Sequence, residues 1–337
     1  MYYSLKRIKV QDFSCAYALN KLAQSAFAPR IRSGFALYDN QIYLYYTKTT
    51  IRNQQKGVII SNVLLILYAI CRPHNIYDAS HTILMKSIVI VGGSSGIGLA
   101  LVQNLMGNDI TNISRTPCAV AGVNNLTCDV TDTARLEKTF AKIDRMDALV
   151  YCAGFSLAAP VEYTEAEDYR TLFDVNLFGA AECVKLAVPK LKNSEDGRII
   201  ILSSSAGIAP IAYDGFYSAS KAGIISLCTT LRLELPQIKS TAVIVGGTQT
   251  MFSFKRKIYT DCGEYDKNLK TASDALIKIE QTGYSAEKTA RAVKKIINDA
   301  DPPLTVTVGV KNKLTMFAYK ILPWRLKLYA LRKTYGI

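Results

Sequence analysis

The sequence predicts an α/β protein built as a doubly wound parallel sheet with helices on both faces, in a single catalytic-sized domain. Three observations carry this. The segment MKSIVIVGGSSGIGLALVQNL, opening at Met85, reads as a strand, a glycine turn and a helix. Downstream of it, short apolar runs alternate with stretches of helical spacing, the pattern of a parallel sheet covered on both sides. The 253 residues from Met85 onward also match one domain of this kind in length.

The elements justify themselves in order. Ser87 to Val91 is rich in β-branched residues and suits a strand buried on both faces. Gly92, Gly93, Gly96 and Gly98 follow, and then Ile97, Leu99, Ala100, Leu101 and Leu105 take up helical spacing. A glycine loop lets the backbone approach a pyrophosphate, and the helix N-terminus supplies free N–H groups and a positive dipole end. The candidate cofactor loop is therefore Gly92, Ser94, Ser95, Gly96, Ile97 and Gly98. An ordinary strand-to-helix turn is the alternative, and the flanking strand and helix favour the nucleotide.

The second strand, DITNISRT, ends in Ser114 and Arg115. An enzyme preferring NAD usually places a carboxylate here for the ribose 2′-hydroxyl. A guanidinium suits the 2′-phosphate of NADP(H), so NADP(H) is expected ahead of NAD(H); a solvated surface arginine is the other reading. LTCDVTD puts Asp129 and Val130 at the end of a third strand, and ALVYCAG puts Ala153 and Gly154 at the end of a fourth. Ligands of open parallel sheets sit at this edge.

The catalytic signal is FYSASKAGIISL. Tyr217 and Lys221 are four residues apart and share one helix face, and a nearby ammonium is expected to lower the tyrosine pKa. Alone, the pair reads first as an incidental feature of an amphipathic helix. Thirteen residues upstream, however, Ser204 ends the apolar run IIILSSSAG, and Asn176 lies in the helical FDVNLFG. Together they make a coherent site.

At these residues the sequence resembles the short-chain dehydrogenase/reductase family, from about Met85 to the C-terminus. The family's Thr-Gly-x-x-x-Gly-Ile-Gly corresponds to Val91 through Gly98, with valine for threonine, and its four catalytic residues fall on Asn176, Ser204, Tyr217 and Lys221. Its Asn-Asn-Ala-Gly becomes Tyr151-Cys152-Ala153-Gly154, and its Pro-Gly becomes Val245-Gly246, with Thr250 where a hydroxyl meets the nicotinamide carboxamide. The resemblance implies a Rossmann-type fold and an oxidoreductase that moves hydride between the nicotinamide and a carbonyl or secondary alcohol. It implies that Ser204 binds the substrate oxygen, Tyr217 passes the proton, Lys221 binds the ribose and Asn176 holds a water leading to solvent. No metal is expected: His74 and His81 lie upstream of Met85, and the eight cysteines show no paired ligand spacing. A cofactor-sensing or membrane-associated binding protein on the same fold is the rival reading, which the intact Asn-Ser-Tyr-Lys set disfavours.

Charge divides the chain into 1–84, 85–301 and 302–337. Residues 1–84 carry ten Lys/Arg against three Asp and no Glu, and residues 302–337 carry seven Lys/Arg and no acidic residue. The formal charge of +14 thus sits at the two ends, and the neutral body argues against a nucleic-acid partner. Residues 1–84 show no clear periodicity apart from the apolar run Gly57 to Cys71, shorter than a membrane span. A weak anchor, a packed accessory segment, or sequence upstream of a true start at Met85 all account for it, and the start at Met85 is favoured.

In the tail, Leu314, Phe317, Ile321, Leu322, Trp324, Leu328 and Leu331 alternate with lysines and arginines. This suits peripheral membrane contact through 313–337, a lid over the cleft, or a helix packed on the body with a solvated basic face, the last being favoured. Family members with a similar ILP and basic tail, the hydroxysteroid and retinol dehydrogenase-like ones, often act on lipids, which implies a lipid-like carbonyl or alcohol substrate. Reduced cysteines point to the cytoplasm, with membrane association as an addition. A homo-oligomer, dimer or tetramer, is also expected.

Overall fold

Strands that are apolar on both faces must be covered on both faces, and the structure satisfies this with one parallel sheet between two helical layers. It is a computed structural model describing residues 85–252 and 256–337, together with the backbone of strands Ile8–Val10, Ser33–Tyr38 and Gln41–Tyr46. The chain divides into two units, Met1–Ile83 and Leu84–Ile337. In the first, the three strands pair antiparallel, with Gln41–Tyr46 in the centre. This pairing was absent from the sequence reading. The apolar run from Gly57 to Cys71, the suggested weak anchor, lies outside the described residues, as do His74 and His81.

The second unit is organised by strands β1 (Ser87–Val91), β2 (Asp109–Ser114), β3 (Asn124–Thr127), β4 (Ala148–Tyr151), β5 (Arg198–Ser204), β6 (Lys239–Val245) and β7 (Thr305–Thr307). Their order is β7-β6-β5-β4-β1-β2-β3, all parallel, with Val91 of β1 opposite Ile113 on one side and Tyr151 on the other. The order reverses between β1 and β4, so the loops leaving these strands diverge and open a crevice at their carboxyl ends.

Alternation along the strands builds the two cores. Val89, Val91, Leu149, Tyr151, Ile199 and Ile201 face one side, where they meet α2 (Thr133–Phe140), α4 (Gly179–Leu191) and α5 (Gly215–Glu234). Ile88, Ile90, Ala148, Val150, Ile200 and Leu202 face the other, against α1 (Gly96–Asn104) and α7 (Ala286–Asn298). Between these elements lie α3 (Ala166–Phe173), which precedes α4, and α6 (Asp266–Gln281), which precedes α7. Five of the described cysteines are buried and Cys152 is half-buried, all as free thiols.

The tail corrects the expectation placed on it. Its first residues form β7 and extend the sheet, and the rest forms two helices, α8 (Val310–Ile321) and α9 (Trp324–Tyr335), parted at Leu322-Pro323. It packs on the body through Met316 and Tyr335, whereas Leu314, Phe317, Ile321, Trp324 and Leu328 are exposed. Of the seven apolar residues named in the tail, these five are turned to water, and Leu322 and Leu331 are half-buried.

Every strand of the sheet lies beyond Met85, and Leu84–Ile337 is one contact unit. Residues 85–337 expressed alone are therefore expected to unfold in one cooperative thermal transition and to show the intrinsic fluorescence of the full chain's tail, Trp324 lying within them. Circular dichroism and a fluorescence spectrum check this, and aggregation of the shorter chain would show that the first 84 residues are needed.

Candidate active site

The glycine loop is shaped to receive an anion. Ser95 stands extended at the N-cap of α1, its side chain makes no capping bond, and the first turn holds no acidic residue, so the N–H groups there are free. Gly96 adopts φ +54°, and a Cβ there would have only Thr250 near it, at 3.8 Å. Gly98 cannot carry one, because it would lie 2.0 Å from the Gly92 carbonyl, where α1 crosses the end of β1. This open, uncapped cradle fits a dinucleotide pyrophosphate.

The loop is held from β2. The Gly93 N–H donates to Asn112 Oδ1 at 2.9 Å, and the Asn112 amide donates to Ser114 Oγ and to Asn125 Oδ1, both at 2.9 Å. Asn112 was passed over in the sequence, where it looked like one residue of a strand. The hydroxyl of Thr116 donates to Ser94 Oγ at 3.2 Å, and Arg115 is exposed beside it. Ser94, Arg115 and Thr116 thus share one corner of the cofactor edge. Asp129 stands two residues past β3 rather than at its end, accepting from the Thr131 N–H and hydroxyl at 3.0 and 2.8 Å, and Val130 is buried in the core.

At the end of β4 the departures from the family motif have local solutions. The Tyr151 hydroxyl donates to the Val175 carbonyl at 2.5 Å, tying β4 to a π-helical turn at Asp174–Phe178. Asn176 lies in that wide turn, fully buried. Its Oδ1 accepts from the Phe155 N–H and its Nδ2 donates to the Phe155 carbonyl, each at 2.9 Å, and Nδ2 also donates to Ser220 Oγ at 3.1 Å. Its side chain braces the loop at Phe155, directly after Ala153 and Gly154. A Cβ on Gly154 would come within 2.9 Å of Asn176 Oδ1 and 3.4 Å of Lys221 Nζ, so the backbone passes closely between them.

Ser204, Tyr217 and Lys221 converge beside this passage. Ser204, the last residue of β5, accepts from the Ala206 N–H at 3.1 Å and lies close enough to the Tyr217 phenol to favour its ionised form. Tyr217 and Lys221 lie on the buried face of α5, with Lys221 Nζ 5.7 Å from the tyrosine ring centroid and donating to the Leu202 carbonyl at 3.1 Å. Burial pushes Lys221 down to about 8. The same burial raises the Tyr217 phenol, against the lowering effect of Ser204. The expected depression of Tyr217 by Lys221 is therefore corrected: desolvation is the dominant cause, the opposing influences come from Ser204 and Arg256 rather than Lys221, and the phenol stays protonated.

Apolar side chains surround the tyrosine: Leu157, Leu172 and Ala206, with Phe155, Ile211 and Phe252 packed against them. A cavity of about 420 Å³, lined by Ala159, Pro160, Val161, Tyr213 and Tyr265 among others, shares Ile211 with this cluster. Thr250 accepts from the Phe252 N–H at 3.2 Å in the segment after β6.

Beneath the cluster lies a buried ionic network that sequence reasoning missed. Ser156 Oγ donates to Asp214 Oδ2 at 2.5 Å, and Arg256 Nε donates to Ser156 Oγ at 2.9 Å. Arg256 also donates to Glu280 Oε1 at 3.1 Å through Nη2, and its Nε lies 3.8 Å from Asp214. The network joins the loop after β4, the start of α5, the segment before α6 and α6 itself. Burial pushes Asp214 up to about 7, partly opposed by Ser156 and Arg256. Tyr213, just before it, takes a left-handed φ of +61°, a strained backbone for a bulky side chain. Tyr335 of α9 is buried as well, raised to about 12 by burial and by the charge of Asp214. No spacing signals these partners, which lie as much as 124 residues apart in the chain.

A twofold-wound parallel sheet, an uncapped anion cradle at its switch point and a Ser-Tyr-Lys set at the next strand end define a nicotinamide-binding oxidoreductase. The chain belongs to the short chain dehydrogenase family, whose pattern it matches over residues 86–257. It is 31% identical over 263 residues to a 3-ketodihydrosphingosine reductase of Bacteroides thetaiotaomicron, a match spanning 74% of this chain and 98% of that protein. It is 30% identical to the 3-oxoacyl-[acyl-carrier-protein] reductase MabA of Mycobacterium tuberculosis, over 48% of this chain and 67% of that one. In fold it is similar to a short-chain dehydrogenase from Streptomyces avermitilis, with TM-score 0.65 and 23% identity, covering 74% of this chain and 97% of the other.

The raised Asp214 carboxyl has a consequence for stability. A folded pKa of about 7 against an ordinary 3.8 means the folded state holds this proton more tightly, so the contribution is complete below pH 4 and is lost as pH rises through 7. Asp214→Asn keeps an acceptor for Ser156 and removes the titration. The Tm of the variant relative to wild type is expected to rise between pH 4 and 8, measured by scanning calorimetry; a constant offset would contradict the shift.

Proposed function

We propose that the chain is an NADPH-dependent reductase of a 3-keto group carried on a long apolar chain, with Tyr217 as the proton donor. The observation that carries this reading is the enclosure of the Tyr217 phenol by Leu157, Ala206 and Phe252, beside Lys221 on the buried face of α5, with burial keeping the phenol protonated. A phenol held neutral by burial is in the form needed to give a proton to a carbonyl oxygen, whereas the reverse oxidation needs the phenolate. The apolar lining favours hydrocarbon on either side of the reacting carbon. The names of the two relatives, a 3-ketodihydrosphingosine and a 3-oxoacyl reductase, agree with a ketone at the third position of such a chain.

Each residue then has a task. Gly92, Ser94, Ser95, Gly96, Ile97 and Gly98 would receive the pyrophosphate, and Ala153, Gly154 and Thr250 would border the nicotinamide end. The bound nicotinamide supplies the hydride that goes to the carbonyl carbon. Ser204 donates to the carbonyl oxygen as it gains charge, and Tyr217 gives that oxygen its proton, completing the alcohol. Lys221, with its pKa at about 8, carries a proton at neutral pH and would bind the ribose hydroxyls. Asn176 holds the Phe155 peptide and thereby the strand end in place. NADPH consumption across long-chain 3-ketones, 3-oxoacyl thioesters, steroid ketones and retinal tests the substrate class.

Two substitutions test the roles. Tyr217→Phe removes the donor and keeps the ring packing, so turnover is expected to fall by about 10² or more with NADPH affinity retained. Turnover near the wild-type rate would remove Tyr217 from the mechanism. Arg115, beside Ser94 and Thr116, would pair with the 2′-phosphate, a charge-assisted contact worth about 1.5–3 kcal/mol. NADPH is accordingly expected to bind more tightly than NADH, and Arg115→Asp to reverse the order. Titration of both cofactors against both proteins decides this, and equal wild-type affinities would show that another residue sets the choice.

A further inference from the structure

Of the seventeen large hydrophobic side chains exposed among the described residues, nine lie in the tail. On α8 they are ordered: Val310, Leu314, Phe317 and Ile321 recur at the three- and four-residue spacing of one helical stripe, and each is 66–70% exposed. Met316, the residue that packs α8 on the body, projects from the opposite side of the helix. After the break at Leu322-Pro323, Trp324, Leu326, Leu328 and Tyr329 continue the exposed apolar surface on α9. An apolar stripe turned directly away from the protein's own core is costly in water unless something covers it.

Charge selects what that is. Residues 302–337 hold Lys311, Lys313, Lys320, Arg325, Lys327, Arg332 and Lys333 and no acidic residue, while the body from 85 to 301 is balanced. A second copy of this face would bring like charges together, and residues 1–84, with ten Lys/Arg against three Asp, are also basic. The occupant must offer hydrocarbon and negative charge together, with space for aromatic rings at the boundary. Among the described residues no helix is long and apolar enough to cross a membrane, so the contact lies in the surface plane.

We propose that α8 and α9 form a docking face for an anionic lipid bilayer, with Phe317, Ile321 and Trp324 entering the headgroup boundary and the lysines and arginines meeting lipid phosphates. This stands on the tail alone and is independent of the substrate proposed above.

Trp324 is the single tryptophan of the chain, so intrinsic fluorescence reports directly on this face. The full chain is mixed with vesicles of phosphatidylcholine containing 30% phosphatidylglycerol (about 30%, a routine anionic content) and with phosphatidylcholine alone. The expected result is co-sedimentation with the anionic vesicles, a blue shift of Trp324 emission, and its quenching by lipids brominated near the headgroup. Lys313→Glu with Lys320→Glu should weaken binding about 30-fold or more, since each cationic side chain near such a surface is worth about fivefold. Phe317→Ser with Ile321→Ser should also weaken it, while NADPH-dependent turnover of a water-soluble ketone stays unchanged in both pairs. Three results would overturn the proposal: no change in Trp324 emission with anionic vesicles; binding that persists undiminished in the Phe317→Ser, Ile321→Ser pair; or a dimer in light scattering that this pair converts to monomer, with no vesicle binding. The quenching measurement needs no variant and decides the matter even where a substituted chain folds poorly.

Discussion

Parallel pairing of β1 with β4, two strands buried on both faces, is the constraint on which the remaining architecture depends. Because the strand order reverses between them, the chain leaves one toward α1 and the other toward the π-helical turn, and the crevice between the two departures is an unavoidable product of the topology. The crevice is narrow at its base: a Cβ on Gly92 would lie 2.8 Å from the Ala153 nitrogen. The anion cradle therefore stands on one wall and the Ser204-Tyr217-Lys221 set on the other, at distances decided by backbone packing rather than by flexible side chains.

Desolvation governs the electrostatics of this crevice. The same enclosed environment raises the Tyr217 phenol and lowers Lys221, in each case toward the neutral form. Neither residue needs the other as the source of its shift. Nearby, Asp214, Arg256, Glu280 and Ser156 hold one another through hydrogen bonds, and Arg256 Nη1, Asp214 Oδ1 and Glu280 Oε2 are buried out of reach of bulk solvent. A reaction that moves hydride and proton benefits from such exclusion, since every fixed dipole acts more strongly there.

What the sequence disclosed was local in kind. The strand at Ser87–Val91, the glycine loop, and the four-residue spacing of Tyr217 and Lys221 are legible because periodicity and steric demands act over a few residues. Asn112 was invisible because its partner Gly93 is reached only after β1 and β2 pair. The substitution of Tyr151 for the family asparagine looked like a loss, and only its contact with Val175 across 24 residues shows the brace that replaces it. The direction of the Tyr217 shift depends on enclosure by Leu157 and Phe252, which no neighbour in sequence reveals. On α8 the apolar periodicity of Leu314, Phe317 and Ile321 was visible, but a helical stripe does not say whether it faces a core or water. The Ser33–Tyr38 and Gln41–Tyr46 pairing was missed although Asp39 and Asn40, both turn formers, lie between the strands.

The burial of Tyr335 within the field of Asp214 and Arg256 gives the tail a second character. Helix α9 packs on α6, the helix that carries Glu280, so the last turn of the described chain helps to support the helix that holds Arg256 in the buried network. The tail is consequently not an interchangeable module. A chimera that exchanged it would also exchange the side chain that closes the buried Asp214–Arg256–Glu280 network, so changes at the exposed face of α8 and changes at the buried end of α9 answer to different constraints.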